Sequence, residues 1–154
     1  RLYGSGLMRP PGPAPVHSAN PLLVYPASMA RQALESAVGA VSDPVDDVVL
    51  EYQNPCGGGS AMPTMAMTLQ TLRRGFRGQA RRNTGSRLYY VVQGSGATTV
   101  GGERFEWGRG DFMTVAPWVW HAHENLSEGD AVLFQVNDLP VLRALGFCRE
   151  EVRP

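Results

Sequence analysis

The chain carries no net charge: fourteen Lys and Arg balance fourteen Asp and Glu across 154 residues. That balance argues against a protein whose task is to coat nucleic acid or an anionic membrane. Long apolar runs are missing too, and none approaches the roughly 18 residues a membrane-spanning helix needs. Cysteine is scarce. Cys56 and Cys148 allow one bridge at most, no secretory signal precedes them, and two reduced thiols in a cytoplasmic protein are expected. The first residue is Arg1 and not Met, and Leu2 to Gly6 reads as the middle of something, so a fragment or a processed product is expected. No Ser/His/Asp or Cys/His set is argued by spacing. Gly57-Gly58-Gly59 lacks the Lys-Ser/Thr of a phosphate loop and reads as a turn.

What is present points to one β-rich domain. Apolar residues make up 43% of the chain, enough for a real core. Eighteen Gly and twelve Pro favour many short strands over long helices. Residues 1–47 form a Pro-rich arm and a connector helix. Pro10, Pro11, Pro13, Pro15, Pro21 and Pro26 impose an extended arm, and Leu22 to Tyr25 are apolar enough to lie on another surface. Residues 28–41 read as a helix with Ser28 as N-cap, Ala30, Leu34, Ala37 and Val41 on one face, and Asp43-Pro44 as its breaker. Such a helix must pack on something.

Residues 48–154 read as a barrel. Strands are expected at Val48–Tyr52, Thr64–Leu72, Leu88–Val92, Thr98–Val100, Arg104–Trp107, Phe112–Val115, Val119–Glu124 and Ala131–Val136. In the second, Met65, Met67 and Leu69 share one face while Thr64, Ala66, Thr68 and Gln70 share the other; the methionines, with Met62 and Met113, read as core filler. Leu88–Val92 reads as a strand buried on both faces. Gly101-Gly102-Glu103 signals a hairpin. Asp138 is placed to cap a short helix, Pro140–Leu145, ended by Gly146. Seven or eight such strands mean a sandwich, barrel or jelly roll.

Gly75, Arg81, Asn83, Arg87 and Gly94 have a recognisable spacing. It resembles the first motif of the cupin superfamily, Gly, five residues, His, one, His, three or four, Glu, six, Gly. Arg81 and Asn83 stand where the two His would be, and Arg87 where Glu would be. Gly110-Asp111, Pro117, His121 and Asn125 resemble the second motif, with His121 at its ligand position. The text from Glu51 to Pro55, Met62 to Thr64, Gly75 to Gly78, Ala131 to Phe134 and Val141 to Glu151 is similar to the C-terminal cupin half of gentisate 1,2-dioxygenases and their salicylate and 1-hydroxy-2-naphthoate relatives. The resemblance implies an all-β, cupin-type double-stranded β-helix. It implies a parent enzyme that uses non-haem Fe(II) and O2 to open the ring of an aromatic carboxylate, between the carboxyl-bearing carbon and its hydroxyl-bearing neighbour. It also implies a missing N-terminal cupin domain that carries the working iron, a homo-oligomer, and a structural role for this half.

No catalytic residue and no metal is expected in this chain, because Arg has no lone pair to donate and two guanidiniums repel Fe²⁺. Alternatives stay open for the remaining residues. His121 and His123, two apart on a strand, face one way; they hold a metal with Glu124 or Gln135 as a third ligand, or they are hydrogen-bonded core or rim residues. Arg81, Asn83, Arg87 and His121 line a pocket for a carboxylate, or the arginines pair with Glu103, Glu106 or Asp111, or turn to solvent. Trp118 and Trp120 wall an aromatic pocket or merely pack. The arginines from Arg73 to Arg87 read as a solvated loop or a subunit contact, not a nucleic-acid surface. His17 in the arm has no assigned part.

Overall fold

The computed structural model describes residues 20–40, 42–56 and 58–153. Most of the arm's prolines, His17, Val41 and Gly57 lie outside them. The elements run α1 (Ala27–Val38), β1 (Val48–Glu51), β2 (Ala66–Leu72), β3 (Arg81–Asn83), β4 (Arg87–Gln93), β5 (Ser95–Val100), β6 (Glu103–Gly108), β7 (Phe112–Val115), β8 (His121–Asn125), β9 (Ala131–Asn137), α2 (Leu139–Ala144) and β10 (Glu150–Val152). Two five-stranded antiparallel sheets, β1-β2-β9-β4-β7 and β10-β3-β8-β5-β6, face each other as a jelly roll. The β5–β6 hairpin pairs Val100 with Glu103 across Gly101 and Gly102, whose φ of 61° and 98° is the geometry glycine makes easy.

The interior has two ends. Leu72, Tyr89, Val91, Trp107, Val115, Ala131 and Leu133 form one apolar cluster. Each large side chain there contributes roughly 1.5–3 kcal/mol of burial. Toward the other end the inward positions turn polar: Thr68, Gln135, Arg87 and Asn137 on one sheet, and Thr98, His123, His121, Arg81 and Asn83 on the other.

Several expectations change. β2 begins at Ala66, and its inward face is Ala66, Thr68, Gln70 and Leu72. Met65 is exposed, as is Met62, so neither fills the core. The apolar half of the alternation faces outward, and Gln70 is tolerated inside because its amide donates to the Asp46 carbonyl at 2.8 Å. β4 is buried on one face only; Leu88 and Val92 reach solvent. α1 starts one residue before Ser28, because the Pro26 carbonyl already accepts from Met29 and Ala30. Its N-cap position is thus Pro26, and among the helix's residues Leu34 is the one fully buried. Asp138 does precede α2, yet its carboxylate accepts from Ser86 N–H at 2.8 Å rather than from its own helix.

β3 and β10 carried no periodic signal. Each is three residues long and mostly charged. They pair because Arg82 sits opposite Glu151 and bonds it at 2.6 Å.

Candidate functional site

The polar end of the barrel gathers four of the seven residues singled out above. Arg81 lies opposite His121 across the β3–β8 pair. Strand alternation turns His121 and His123 to the same interior face, each 3% exposed, with ring centroids 5.9 Å apart. From the facing sheet come Arg87 and Tyr89, both buried, and the Tyr89 ring meets His123 edge-on at 4.7 Å. The other three residues are used elsewhere. Asn83 is buried, but it accepts from Gly85 N–H and reaches Glu150. Trp118 and Trp120 lie at the rim, stacked on the Arg82 guanidinium at 4.5 and 4.7 Å, with Arg153 on the second face-on at 4.3 Å. They clasp β10 to the barrel. Trp118 holds a left-handed backbone, φ 61°, fixed by its N–H donating to the Asn83 carbonyl at 2.6 Å.

The arginines' partners are not Glu103, Glu106 or Asp111. Arg81 forms a close ion pair with Asp46, a residue of the loop between α1 and β1. Arg87 donates to the Gln135 side-chain oxygen at 2.5 Å, and Gln135 donates onward to Thr68 at 3.0 Å. Glu124 faces outward, bonded to Arg104 at 2.7 Å, and is no ligand for the histidines. Asp46 went unnoticed in the sequence because it lies 35 residues from Arg81, in a turn between a helix and a strand. Its neighbour Asp47, fully buried, takes Arg73 with a bond of 2.6 Å. Arg74 and Arg82 pair with Glu128 and Glu151, so the basic stretch is largely neutralised within the fold.

Electrostatics follow burial. Desolvation lowers His121 to about 4, against a weaker upward pull from the Val119 carbonyl and with Arg81 and Arg87 adding to the drop. His123 is held well below its ordinary range by desolvation, then by His121 and the same arginines. Both rings are therefore neutral at pH 7. Burial pushes the Asp46 carboxyl up, and Arg81 and Arg87 oppose it. On Arg81 desolvation is the largest single effect, but the attractions of Asp46, Tyr89 and Glu150 together outweigh it, and the guanidinium stays charged. Among the described residues, no three His, Cys, Asp or Glu side chains converge as metal ligands. Two imidazoles beside two guanidiniums are a poor donor set for Fe(II), which takes neutral nitrogen and carboxylate oxygen. Cys56 and Cys148 are free thiols.

Residues 68–137 match the family described as Cupin domain. A 5-aminosalicylate 1,2-dioxygenase of Comamonas sp is 39% identical over 95% of this chain and 39% of its own length. A gentisate 1,2 dioxygenase 1 of Aquipseudomonas alcaligenes is 36% identical over 86% of this chain and 38% of its own length. The fold overlays the salicylate 1,2-dioxygenase of Pseudoaminobacter salicylatoxidans, solved with gentisate, with a TM-score of 0.77 and 29% identity over 84% of this chain and 36% of that one. This chain is a cupin of the gentisate- and salicylate-type 1,2-dioxygenase family. The cupin spans about two-fifths of the length of the curated relatives it matches. Among its described residues, no helix is long and apolar enough to cross a membrane.

Proposed function

We propose that this cupin is the C-terminal half of a longer, cytoplasmic, Fe(II)- and O2-dependent enzyme that opens the ring of an aromatic hydroxy-carboxylate, and that its own metal position is degenerate. The half then supports an N-terminal cupin and helps build a homo-oligomer. The observation that carries this is the interior donor set: Arg81 and Arg87 replace ligands, and the carboxylate nearest them, Asp46, is already paired with Arg81. A cation placed 4 Å from a guanidinium meets a repulsion of about 4 kcal/mol at an effective dielectric near 20. The supporting role draws on the outer face of the β4-containing sheet. There α1 and the sheet border a groove of about 440 Å³ lined by Leu34, Tyr52, Val132 and Phe134, while Leu88 and Phe112 reach solvent. Such apolar outer surface suits contact with another domain.

A stand-alone binder of an aromatic carboxylate is less well supported. Arg81 already holds a carboxylate, and the Tyr89 ring packs edge-on against His123 in the same interior. The test is to load the purified chain with Fe(II) under O2 and offer gentisate. No oxygen uptake above background and substoichiometric iron are expected. Stoichiometric iron, or steady uptake with ring-opened product, overturns the proposal.

A further inference from the structure

We propose that the polar end of the barrel binds a small monovalent oxyanion, the size of formate or hydrogencarbonate, with Arg87, Arg81 and Tyr89 as its donors. The inference rests on the metal-free reading above and extends it to a ligand.

Charge comes first. Two guanidiniums are buried here and one carboxylate, Asp46, faces them; Glu150 acts on Arg81 only from an exposed position on β10. Both histidines are neutral at pH 7. The interior therefore holds one cation more than it has counter-ions, and Arg87 is the surplus one, bonded to a neutral amide. An uncompensated buried charge is costly, and a small anion relieves it.

Hydrogen bonding points the same way. Arg81 Nε, Arg87 Nε, the Tyr89 hydroxyl, His121 Nε2 and His123 Nε2 are buried without a well-formed hydrogen bond. Tyr89 still acts at short range on the Arg81 guanidinium, which places its hydroxyl in the same cluster. The tautomer of His121 follows from its outer nitrogen. A carbonyl only accepts, so His121 Nδ1, 3.1 Å from the Val119 oxygen, carries the proton and Nε2 is a bare lone pair. Thr98 Oγ1 accepts from Trp107 at 2.9 Å and lies 2.7 Å from His123 Nδ1 and 3.4 Å from Met113 Sδ; its one proton serves either, so His123 Nε2 offers a hydrogen in one tautomer and a lone pair in the other. Three donors, from Arg81, Arg87 and Tyr89, thus lie in one buried cluster drawn from both sheets, beside the acceptor nitrogen of His121 and Nε2 of His123. An oxyanion takes the donors; the O–H of hydrogencarbonate, or a co-bound water beside formate, meets the lone pair of His121.

Asp46 makes the proposal sharp, because it is a tethered competitor for the same guanidiniums. Removing its charge and removing that of Arg87 must then act in opposite directions. The full chain, stripped of metal and checked for iron, is melted at pH 8 and fixed ionic strength while gluconate is exchanged for formate or for hydrogencarbonate. A saturable rise in Tm is expected for at least one of the two. Arg87→Gln should abolish it, and Asp46→Asn should lower the half-saturating concentration tenfold or more. Should Arg87→Gln not fold, as judged by far-ultraviolet circular dichroism, Tyr89→Phe serves in its place and should raise the half-saturating concentration several-fold. A Tm indifferent to both anions, which would mean ordered water only, overturns the proposal. So does a rise that survives Arg87→Gln, or one that Asp46→Asn leaves unchanged. Iron in the chain would sink the metal-free reading separately, without touching these comparisons.

Discussion

Adjacent residues Asp46 and Asp47 point into different parts of the barrel, one to Arg81 and one to Arg73, because the tight turn from Asp43 to Asp47 places Asp47 at φ 60°. The histidines beyond them set the response to acid. In the unfolded chain an imidazole gains its proton below about pH 6.5, while His121 in the fold waits until about 4. Between those values the unfolded state binds more protons, so stability falls as pH drops. The His121 share is on the order of 3 kcal/mol, and His123 shifts the same way. Asp46, raised from an ordinary 3.8, runs opposite and returns part of the loss as pH falls toward that value. Urea unfolding at pH 7 and pH 4.5 should show a clear drop in midpoint, and His121→Gln should flatten it. A midpoint independent of pH would contradict the buried neutral pair.

At the scale of elements, spacing was far more informative than periodicity. The residues from Gly75 to Gly94 and from Gly110 to Asn125 stand in register with the barrel, and His121, His123, Arg81 and Arg87 do meet inside it. Periodicity misled at β2, where the outward face is the apolar one, and was silent at β3 and β10, which are too short and charged to alternate. Asp46 was illegible for a different reason: a loop's destination depends on what it packs against. Here that is Gly78, where an added Cβ would stand 2.5 Å from the Val45 carbonyl oxygen. Gly78→Ala should therefore displace the loop and cost about 1–3 kcal/mol, lowering Tm by several degrees. Gly129→Ala, with nothing within 4 Å of its added carbon, should leave Tm unchanged. Equal effects would show that loop 43–47 is not seated as described.

For the molecule as a whole, Val48 begins the first strand but does not begin what the barrel needs. Asp46 and Asp47 neutralise Arg81 and Arg73, and Ser42 accepts from Arg73 at 2.7 Å. A chain beginning at residue 42 should fold and melt cooperatively. One beginning at residue 48 should lose 3–5 kcal/mol or more from an unpaired buried cation, a large part of a typical domain's 5–15 kcal/mol. Expression and calorimetry of the two truncations decide this; equal stability would mean that Arg81 needs no carboxylate.

Asp46 reaches Arg81 as part of the same polymer, so their meeting is a first-order event. Dilution and dialysis leave that pair together, because a tether fixes the local concentration of its partner. Whatever neutralises Arg87 has no such leash. Exhaustive washing should strip one guanidinium of its companion and never the other, which makes the medium in which this barrel is purified part of its composition.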